Sequence, residues 1–287
     1  MENKERYNHL NEYYKNKFGE RTLKICIDAG FTCPNRDGTL SSSGCIFCSE
    51  KGAGELIKFS KLHISEQVNN FLNSYRGMRA NKFIVYFQNF TNTYDSLENL
   101  KEKYDAALVS DKIVGISIAT RPDCITEDIA KLIASYADKY DVSVELGLQT
   151  SNDNIGRIIN RYYTTTQFTT AVNILRKYNI EIITHMMIGL PKESFVDIKD
   201  TVKFINNHDI QGLKIHSTYI VKNTVLASMY YNKEYEPITL DYYLDALTYV
   251  ITHVRPDLII HRISGDAPKD LLVAPKWNLH KKWILNG

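Results

Sequence analysis

This sequence lacks long apolar runs and a strong net charge of either sign. It also lacks the even number of cysteines that a set of disulfides would need. Its 287 residues are 44% hydrophobic and carry a formal net charge of +2. No apolar stretch approaches the roughly 20 residues that a membrane helix needs. The charged residues 1–6 do not resemble a signal peptide. We therefore expect no membrane partner, while the small net charge neither requires nor excludes an anionic one.

The cysteine content argues against a disulfide-stabilised secreted protein. The chain has 5 cysteines, and three of them lie within residues 33–48. Without a secretory signal, this pattern favours a reducing, cytoplasmic environment. The length and the 24% of charged residues suit one large domain with at most small extensions.

The clustered cysteines, Cys33, Cys45 and Cys48, have the spacing C-x11-C-x2-C. The C-x2-C pair can direct two thiolates to one metal centre, and two glycines in the longer interval allow the loop to fold back. Structural zinc sites usually have four ligands, but the nearest histidine, His63, lies fifteen residues beyond Cys48. Three thiolates suit a [4Fe–4S] cluster with one iron free for another ligand. An incomplete zinc site or three buried thiols remain open alternatives from the spacing alone.

Hydrophobic periodicity predicts strands that alternate with helices along the whole chain. The predicted strands are residues 22–27, 83–87, 113–119, 142–148, 181–187, 213–216 and 258–262. The predicted helices are residues 7–18, 65–75, 96–108, 126–137, 166–177, 195–206 and 240–253. Such alternation indicates parallel βαβ units with right-handed crossovers.

The number of units points to an incomplete barrel. Six units fit between residues 22 and 253, whereas a complete eight-unit barrel takes roughly 250 residues. The expected fold is an α/β, open partial (β/α)6 TIM-like barrel with an N-terminal helix and a short C-terminal extension. We expect an N-terminal helical extension at 1–21, the barrel at 22–256 and the extension at 257–287.

Polar residues follow the predicted strands. They are Gln88, Asn89, Thr91, Asn92, Thr120, Arg121, Asp123, Gln149, Thr150, Gly189, Pro191, Glu193, His216, Ser217 and Tyr219. In parallel α/β barrels the carboxyl ends of the strands form the active-site rim, and the cysteine loop follows the first strand onto that rim. The alternative is that these residues are polar only because loops are polar.

The cysteine loop, the strand count and the rim residues together resemble a radical S-adenosylmethionine (SAM) enzyme. The chain most resembles the YhcC/YtqA family, which is related to the catalytic subunit of Elongator. The matching segments are residues 27–38, 44–48, 86–94, 118–124, 144–149, 184–191, 214–216 and 265–268. The first cysteine interval is longer than in the commonest radical SAM motif, C-x3-C-x2-C, as is characteristic of this subfamily.

The resemblance implies a [4Fe–4S] cluster on Cys33, Cys45 and Cys48, with SAM chelating the fourth iron. Reduction would cleave SAM to methionine and a 5′-deoxyadenosyl radical, which abstracts a hydrogen atom from substrate. A reducing partner of the flavodoxin or ferredoxin type is needed. The residues expected to bind the cofactor are Gln88, Asn89, Thr91, Asn92, Thr120, Arg121, Glu145, Gln149, Gly189, Leu190 and Pro191.

Four further side chains have an open role. Cys124 is a candidate hydrogen-atom donor to a substrate radical, and His185 and His216 are candidate substrate contacts. The alternative for each histidine is a hydrogen-bonded structural role. Glu145 lies inside a strand and either points inward beneath SAM or forms a salt bridge with Arg121 or Lys214, and Cys26 is expected to be buried and structural.

Basic and aromatic residues alternate near the C-terminus, at Lys276, Trp277, Lys281 and Lys282. Such residues suit a phosphate backbone and unstacked bases, although the segment could instead pack on the barrel. The family relation favours tRNA as partner and implies conversion of 5-carboxymethylaminomethyluridine to 5-aminomethyluridine at the wobble position. The alternatives are a radical SAM enzyme for a small metabolite and a zinc-stabilised RNA-binding module without catalysis. The oligomeric state stays unknown from sequence.

Overall fold

A computed structural model of the chain describes residues 7–52, 57 and 60–286. Residues 1–6, which belong to the expected N-terminal extension, and residue 287 lie outside the described residues. No helix in the described part of the chain has the length and apolar character needed to cross a membrane.

The described residues contain nine strands. They are β1 (Thr22–Ile27), β2 (Lys82–Phe87), β3 (Ile113–Thr120), β4 (Asp141–Gln149), β5 (Glu181–Ile188), β6 (Gly212–Ser217), β7 (Ile220–Val221), β8 (Ile259–Arg262) and β9 (Leu272–Ala274). Seven of them form one parallel sheet in the order β1-β2-β3-β4-β5-β6-β8. The prediction of an open, partial α/β barrel is therefore confirmed, and the strand predicted at 258–262 adds to its edge.

Ten α-helices are present in the described residues. They are α1 (Leu10–Phe18), α2 (Ile64–Leu72), α3 (Leu97–Asp105), α4 (Glu127–Ala134), α5 (Asp153–Ile158), α6 (Thr165–Lys177), α7 (Phe195–Asn206), α8 (Val225–Tyr231), α9 (Leu240–His253) and α10 (Lys281–Asn286). The sequence did not predict the short α5 and α8, nor the antiparallel β7–β9 ribbon. These elements are too short for periodicity to detect.

Alternation within the strands separates the core from the barrel interior. In β1, Ile25 and Ile27 are buried in the hydrophobic core that the helices cover, whereas Lys24 and Cys26 face a cavity inside the half-barrel. Successive strand residues point to opposite faces. The other five strands from β2 to β6 follow the same rule, so each contributes side chains to the interior.

The N-terminal helix is tied to the amino ends of the barrel strands. Lys17 on α1 forms ion pairs with Asp141 at 2.6 Å and Glu181 at 2.9 Å, at the starts of β4 and β5. Tyr13 also donates to Glu181, at 2.8 Å. The helix therefore packs across the end of the barrel that is opposite to the cysteine loop.

Candidate functional site

The cysteine loop and the inner faces of the strands line one cavity of about 1010 Å³. Its lining includes Cys33, Cys45 and Cys48 together with side chains from β1 to β6 and β8. The position of the loop directly after β1 brings the thiols to this cavity. The structure thus brings the three clustered cysteines to the barrel interior.

Backbone turns shape the cysteine loop. The carbonyl of Cys33 accepts from the amides of Arg36 at 2.8 Å and Asp37 at 3.1 Å. Gly38 and Gly44 have φ angles of 94° and 73°, a region that side chains disfavour. The two glycines therefore permit the fold-back that the sequence predicted, and the amide of Cys48 closes the last turn on the carbonyl of Cys45 at 3.0 Å.

The thiols lie in a polar setting. Asn35 Nδ2 lies 3.5 Å from Cys45 Sγ and also donates to the Asn160 carbonyl at 2.6 Å. A hydrogen bond from Cys48 lowers the pKa of Cys45 to about 7. Within residues 7–52, 57 and 60–286, no group of three or more His, Cys, Asp or Glu side chains is arranged to hold a single metal ion. A [4Fe–4S] cluster differs in that each cysteine binds a different iron.

Six of the eleven residues expected to bind the cofactor line the cavity. They are Gln88, Thr91, Thr120, Arg121, Glu145 and Gln149. The hydroxyl of Thr91 is buried and has no hydrogen-bond partner among the described residues. Buried polar atoms are normally paired, so this hydroxyl is available to a ligand. Gln149 has a φ of 61°, and its side chain accepts from Tyr163 at 2.6 Å.

The other five expected cofactor residues are not part of the cavity lining. Asn89 donates to Asp28 at 2.8 Å, and Asn92 donates to the carbonyls of Phe87 and Ala119 at 3.2 and 2.7 Å. These amides hold the loop after β2 in place.

Gly189, Leu190 and Pro191 lie behind the cavity wall. A Cβ atom at Gly189 would come 2.8 Å from Ile238 rather than enter the cavity. The Glu193 carboxylate accepts from the amides of Gly189 and Leu190 at 2.6 and 3.3 Å. Glycine is favoured here by the φ angle of 89° and by the close approach to Ile238.

The three candidate catalytic residues separate into two places. His185 and His216 line the large cavity, with ring centroids 5.2 Å apart. Cys124 instead lines a neighbouring cavity of about 660 Å³, and burial raises its pKa to about 12. Cys26 was expected to be buried, but it is exposed into the large cavity, because alternation along β1 places it on the inner face.

A set of buried and half-buried polar side chains lies inside the barrel, one from each strand from β1 to β6. This polar layer consists of Lys24, Tyr86, Ser117, Glu145, His185 and Lys214. Glu145 is its centre and accepts from Lys24 at 2.7 Å, from Ser117 at 3.1 Å, from Lys214 and from His185, whose Nε2 lies at 2.7 Å.

The charges in the polar layer shift one another's pKa values. Burial raises the pKa of Glu145, but the ammonium groups of Lys214 and Lys24 outweigh burial and hold it well below its usual range. Burial, with repulsion from Lys24 and Arg262, lowers the pKa of Lys214 to about 7. Of the two partners suggested for Glu145, the structure shows Lys214 and not Arg121, which binds Asp123 through two bonds of 3.0 and 2.7 Å.

Among the cavity-lining residues that the sequence did not single out are Lys24, Tyr86, His261 and Arg262. For Lys24 the sequence did contain an indication, because it is a charged residue at an alternate position of an otherwise apolar strand. In a parallel strand that is buried on both faces, a charged side chain is stable only on the face toward the barrel interior, where an oppositely charged group can reach it.

The C-terminal residues expected to bind RNA are mostly engaged with the protein. Trp277 Nε1 donates to the Ile238 carbonyl at 3.1 Å, and its ring lies 5.2 Å from that of Tyr243. Lys276 donates to the Leu272 carbonyl at 3.1 Å, and Lys281 forms an ion pair with Asp266. Lys282 is exposed, and the neighbouring Trp283 has 52% of its surface accessible.

Comparison with known proteins gives matches over most of the chain. The family model of the Radical SAM superfamily matches residues 32–205, and that of the Radical_SAM C-terminal domain matches residues 210–287. The uncharacterized protein YtqA of Bacillus subtilis is 36% identical over 98% of this chain and 88% of its own length. Protein YhcC of Escherichia coli is 31% identical over 91% of this chain and 84% of its own length. These matches confirm the expected resemblance to the YhcC/YtqA family.

More distant matches cover part of longer proteins. The tRNA uridine(34) acetyltransferase of Dehalococcoides mccartyi is 28% identical over 60% of this chain and 37% of its own length. The solved structure of archaeal Elp3 from Methanocaldococcus infernus superimposes with a TM-score of 0.70 at 17% identity. That superposition covers 92% of this chain but 62% of the Elp3 chain, and it shows a shared fold.

Proposed function

Since the chain belongs to the radical SAM superfamily, we propose that it is a tRNA-modifying enzyme that acts on the C5 side chain of the wobble uridine. The proposed reaction converts 5-carboxymethylaminomethyluridine to 5-aminomethyluridine. The family implies SAM and a [4Fe–4S] cluster. The observation that carries the proposal is the single cavity in which three cysteines adjoin a layer of charged side chains.

The residues present fit the two cofactors. Cys33, Cys45 and Cys48 lie on one polar loop at the cavity, and Asn35 directs its amide at a sulfur. They would hold three irons of the cluster, and the unpaired Thr91 hydroxyl would bind SAM. When bound, the reduced cluster and SAM supply a radical that abstracts a hydrogen atom from the substrate.

The chain's own contribution is to position the substrate and to exclude water. His185 and His216 line the cavity with ring centroids 5.2 Å apart, and we propose that they contact the substrate. Glu145 fixes His185 through the 2.7 Å contact to its Nε2. A histidine held in this way has a defined ring orientation, which a catalyst or a binding group requires.

A tRNA substrate is supported by a distant relative. One distant relative is named as an enzyme of tRNA uridine 34, the wobble position. We propose that Lys276, Lys281 and Lys282 contact phosphates of the tRNA. Trp277 would then stabilise the segment that carries them, because its ring packs on Tyr243.

The salt dependence of tRNA binding tests this surface. Each phosphate contact that is lost lowers the log–log salt slope by about one, so changing the three lysines to Ala should lower it by up to about three. Trp277→Ala should lower the melting temperature instead. An unaltered slope in the triple variant would remove the C-terminal surface from the interface.

The function itself is tested by mass spectrometry of tRNA nucleosides. Cells without the gene should accumulate 5-carboxymethylaminomethyluridine and lack 5-aminomethyluridine. The purified protein, reconstituted anaerobically with iron and sulfide, should absorb near 400 nm and cleave SAM once a flavodoxin- or ferredoxin-type donor reduces it. Cleavage of SAM with unchanged tRNA nucleosides would favour a small-metabolite substrate, and failure to bind iron would favour the zinc-stabilised RNA-binding module.

A further inference from the structure

We propose that Lys214, Arg262, His216 and His261 form a subsite that binds a carboxylate of the substrate. These four residues are called the cationic cluster below. All four line the large cavity, on the inner faces of β6 and β8. The inference rests on the proposed function, because the carboxylate is the one on the C5 side chain of the substrate uridine.

Strand register creates the cluster. The pairing of β6 with β8 shifts between Leu213 and Lys214, so Lys214 lies opposite Arg262 instead of His261. The irregularity brings His261 and Arg262, although consecutive, to the lining of the same cavity. Two cations on directly neighbouring strand positions repel each other. Such an arrangement is stable when an anion lies between them.

The anions of the protein do not balance the cations at this place. Glu145 is shared by Lys24 and Lys214, and Asp266 is shared by Arg262, at 3.0 Å, and Lys281. Among the described residues, these two carboxylates thus serve four basic side chains, namely Lys24, Lys214, Arg262 and Lys281. An anionic ligand placed here would favour the charged form of Lys214, whose pKa is lowered to about 7 without one.

Two imidazole nitrogens add hydrogen-bonding capacity. His216 Nε2 and His261 Nδ1 are buried and have no hydrogen-bond partner among the described residues. Buried polar atoms normally have a partner, and each nitrogen can donate to a ligand oxygen in the appropriate tautomer. Lys214 is only 8% exposed, so an anion placed here would be largely shielded from water.

The chemistry favours a carboxylate over a backbone phosphate. The cluster lies inside the half-barrel, on β6 and β8, so a backbone phosphate would have to carry its ribose chain into the cavity to reach it. A base that enters the cavity brings its C5 substituent inward, and the terminal carboxylate is the anionic part of that substituent. Its two coplanar oxygens match a guanidinium and an imidazole donor.

Matched anticodon stem-loop RNAs test the subsite. They differ only at the wobble residue, which carries 5-carboxymethylaminomethyluridine or its methyl ester. Binding is measured on the reconstituted protein with SAM and without reductant, so that no turnover occurs. The wild-type protein should prefer the acid over the ester by about tenfold or more, since charged hydrogen bonds are worth that much.

Variants locate the effect. Lys214→Gln and Arg262→Gln should each bring the ratio of acid to ester affinity close to one. Arg262 is the more exposed of the two, so its variant keeps the test valid if Lys214→Gln does not fold. Arg76→Gln is the matched control, because Arg76 lines the cavity outside the cluster, and it should keep the wild-type ratio.

The outcomes separate this inference from the proposed function. Equal affinity of the wild-type protein for acid and ester overturns the subsite, even if the acid RNA is converted. If neither RNA binds, the tRNA proposal fails, and titration of the two free nucleosides then decides on the subsite by the same ratio. A loss of preference in Arg76→Gln equal to that in Arg262→Gln also overturns it.

Discussion

The cysteine loop and the polar layer face the same cavity but are built in opposite ways. The loop, residues 33–48, is local, with its shape set by turns and its three thiols half-buried. The polar layer takes one side chain from each of six strands, and its central Glu145 is 1% exposed. A change in the loop should therefore affect ligand binding more than folding, whereas a change in the layer should affect both.

The difference arises because the protein supplies hydrogen-bond and ion-pair partners to the polar layer but few to the thiols of the cysteine loop. The thiols make few hydrogen bonds to the protein, and their thiolate forms can donate an electron pair to a metal centre. The carboxylate of Glu145 has its bonds supplied by the protein, and removing it would leave buried ammonium groups unpaired. We therefore expect substitutions in the cysteine loop to change the folding stability little and substitutions in the polar layer to lower it.

The largest effect is expected from the cysteine loop. Replacing Cys33, Cys45 or Cys48 singly with Ala should reduce bound iron and abolish SAM cleavage, because each is proposed to supply one thiolate to the cluster. Iron content and absorbance near 400 nm measure the effect, and the melting temperature of the apoprotein should change little. Cys26→Ala is the control, since Cys26 lines the same cavity outside the loop, and it should keep its iron. Full SAM cleavage by Cys33→Ala would refute the ligand assignment.

The next effect is a loss of stability in the polar layer. Glu145→Gln should lower the free energy of unfolding by about 3–5 kcal/mol, because it removes the buried carboxylate that Lys24 and Lys214 share. Urea unfolding of the apoprotein gives the value. Glu127→Gln breaks an exposed ion pair with Lys177 and should cost less than about 1 kcal/mol. Equal costs for the two variants would mean that the layer is not a rigid, desolvated element.

A pH effect should follow from Lys214. Its pKa is lowered to about 7 in the folded protein and is about 10.4 in an unfolded chain. Between these values the unfolded state binds the proton and the folded state does not, so the free energy of unfolding rises with pH, by at most about 1.4 kcal/mol per unit. The wild-type protein should therefore gain stability relative to Lys214→Met between pH 7 and 9. A difference that stays constant over this range would contradict the lowered pKa.

The smallest effect is expected between the two regions, at Thr91. Thr91→Val removes the unpaired hydroxyl and should weaken SAM binding by about three- to tenfold, the value of one hydrogen bond, without loss of stability. Thr93→Val is the matched control, because the Thr93 hydroxyl is bonded to Thr120 at 2.6 Å and to the Cys124 carbonyl at 2.7 Å. The control should lose stability and keep its SAM affinity, and calorimetric titration distinguishes the two patterns.

Much of the fold and part of the site could be predicted from local patterns. The alternation of strands and helices, the open barrel and the terminal strand at its edge follow from periodicity and chain length. Gln88, Thr91 and Gln149 were expected at the cavity because they follow strands, and they line it. Gly189 follows a strand in the same way but lies against Ile238, because a position after a strand does not determine the direction of the following loop.

The sequence by itself determined the three clustered cysteines, the polar loop that carries them and the alternation of strands with helices. These depend on residues that are close along the chain, where spacing and turn chemistry decide the geometry. Only the tertiary structure decided that Cys26 faces the cavity, that Glu145 joins Lys24 to Lys214 and that Lys214 lies beside Arg262. Those contacts depend on strand register and on which face of a curled sheet is the inside, and both are set by packing across the whole sheet.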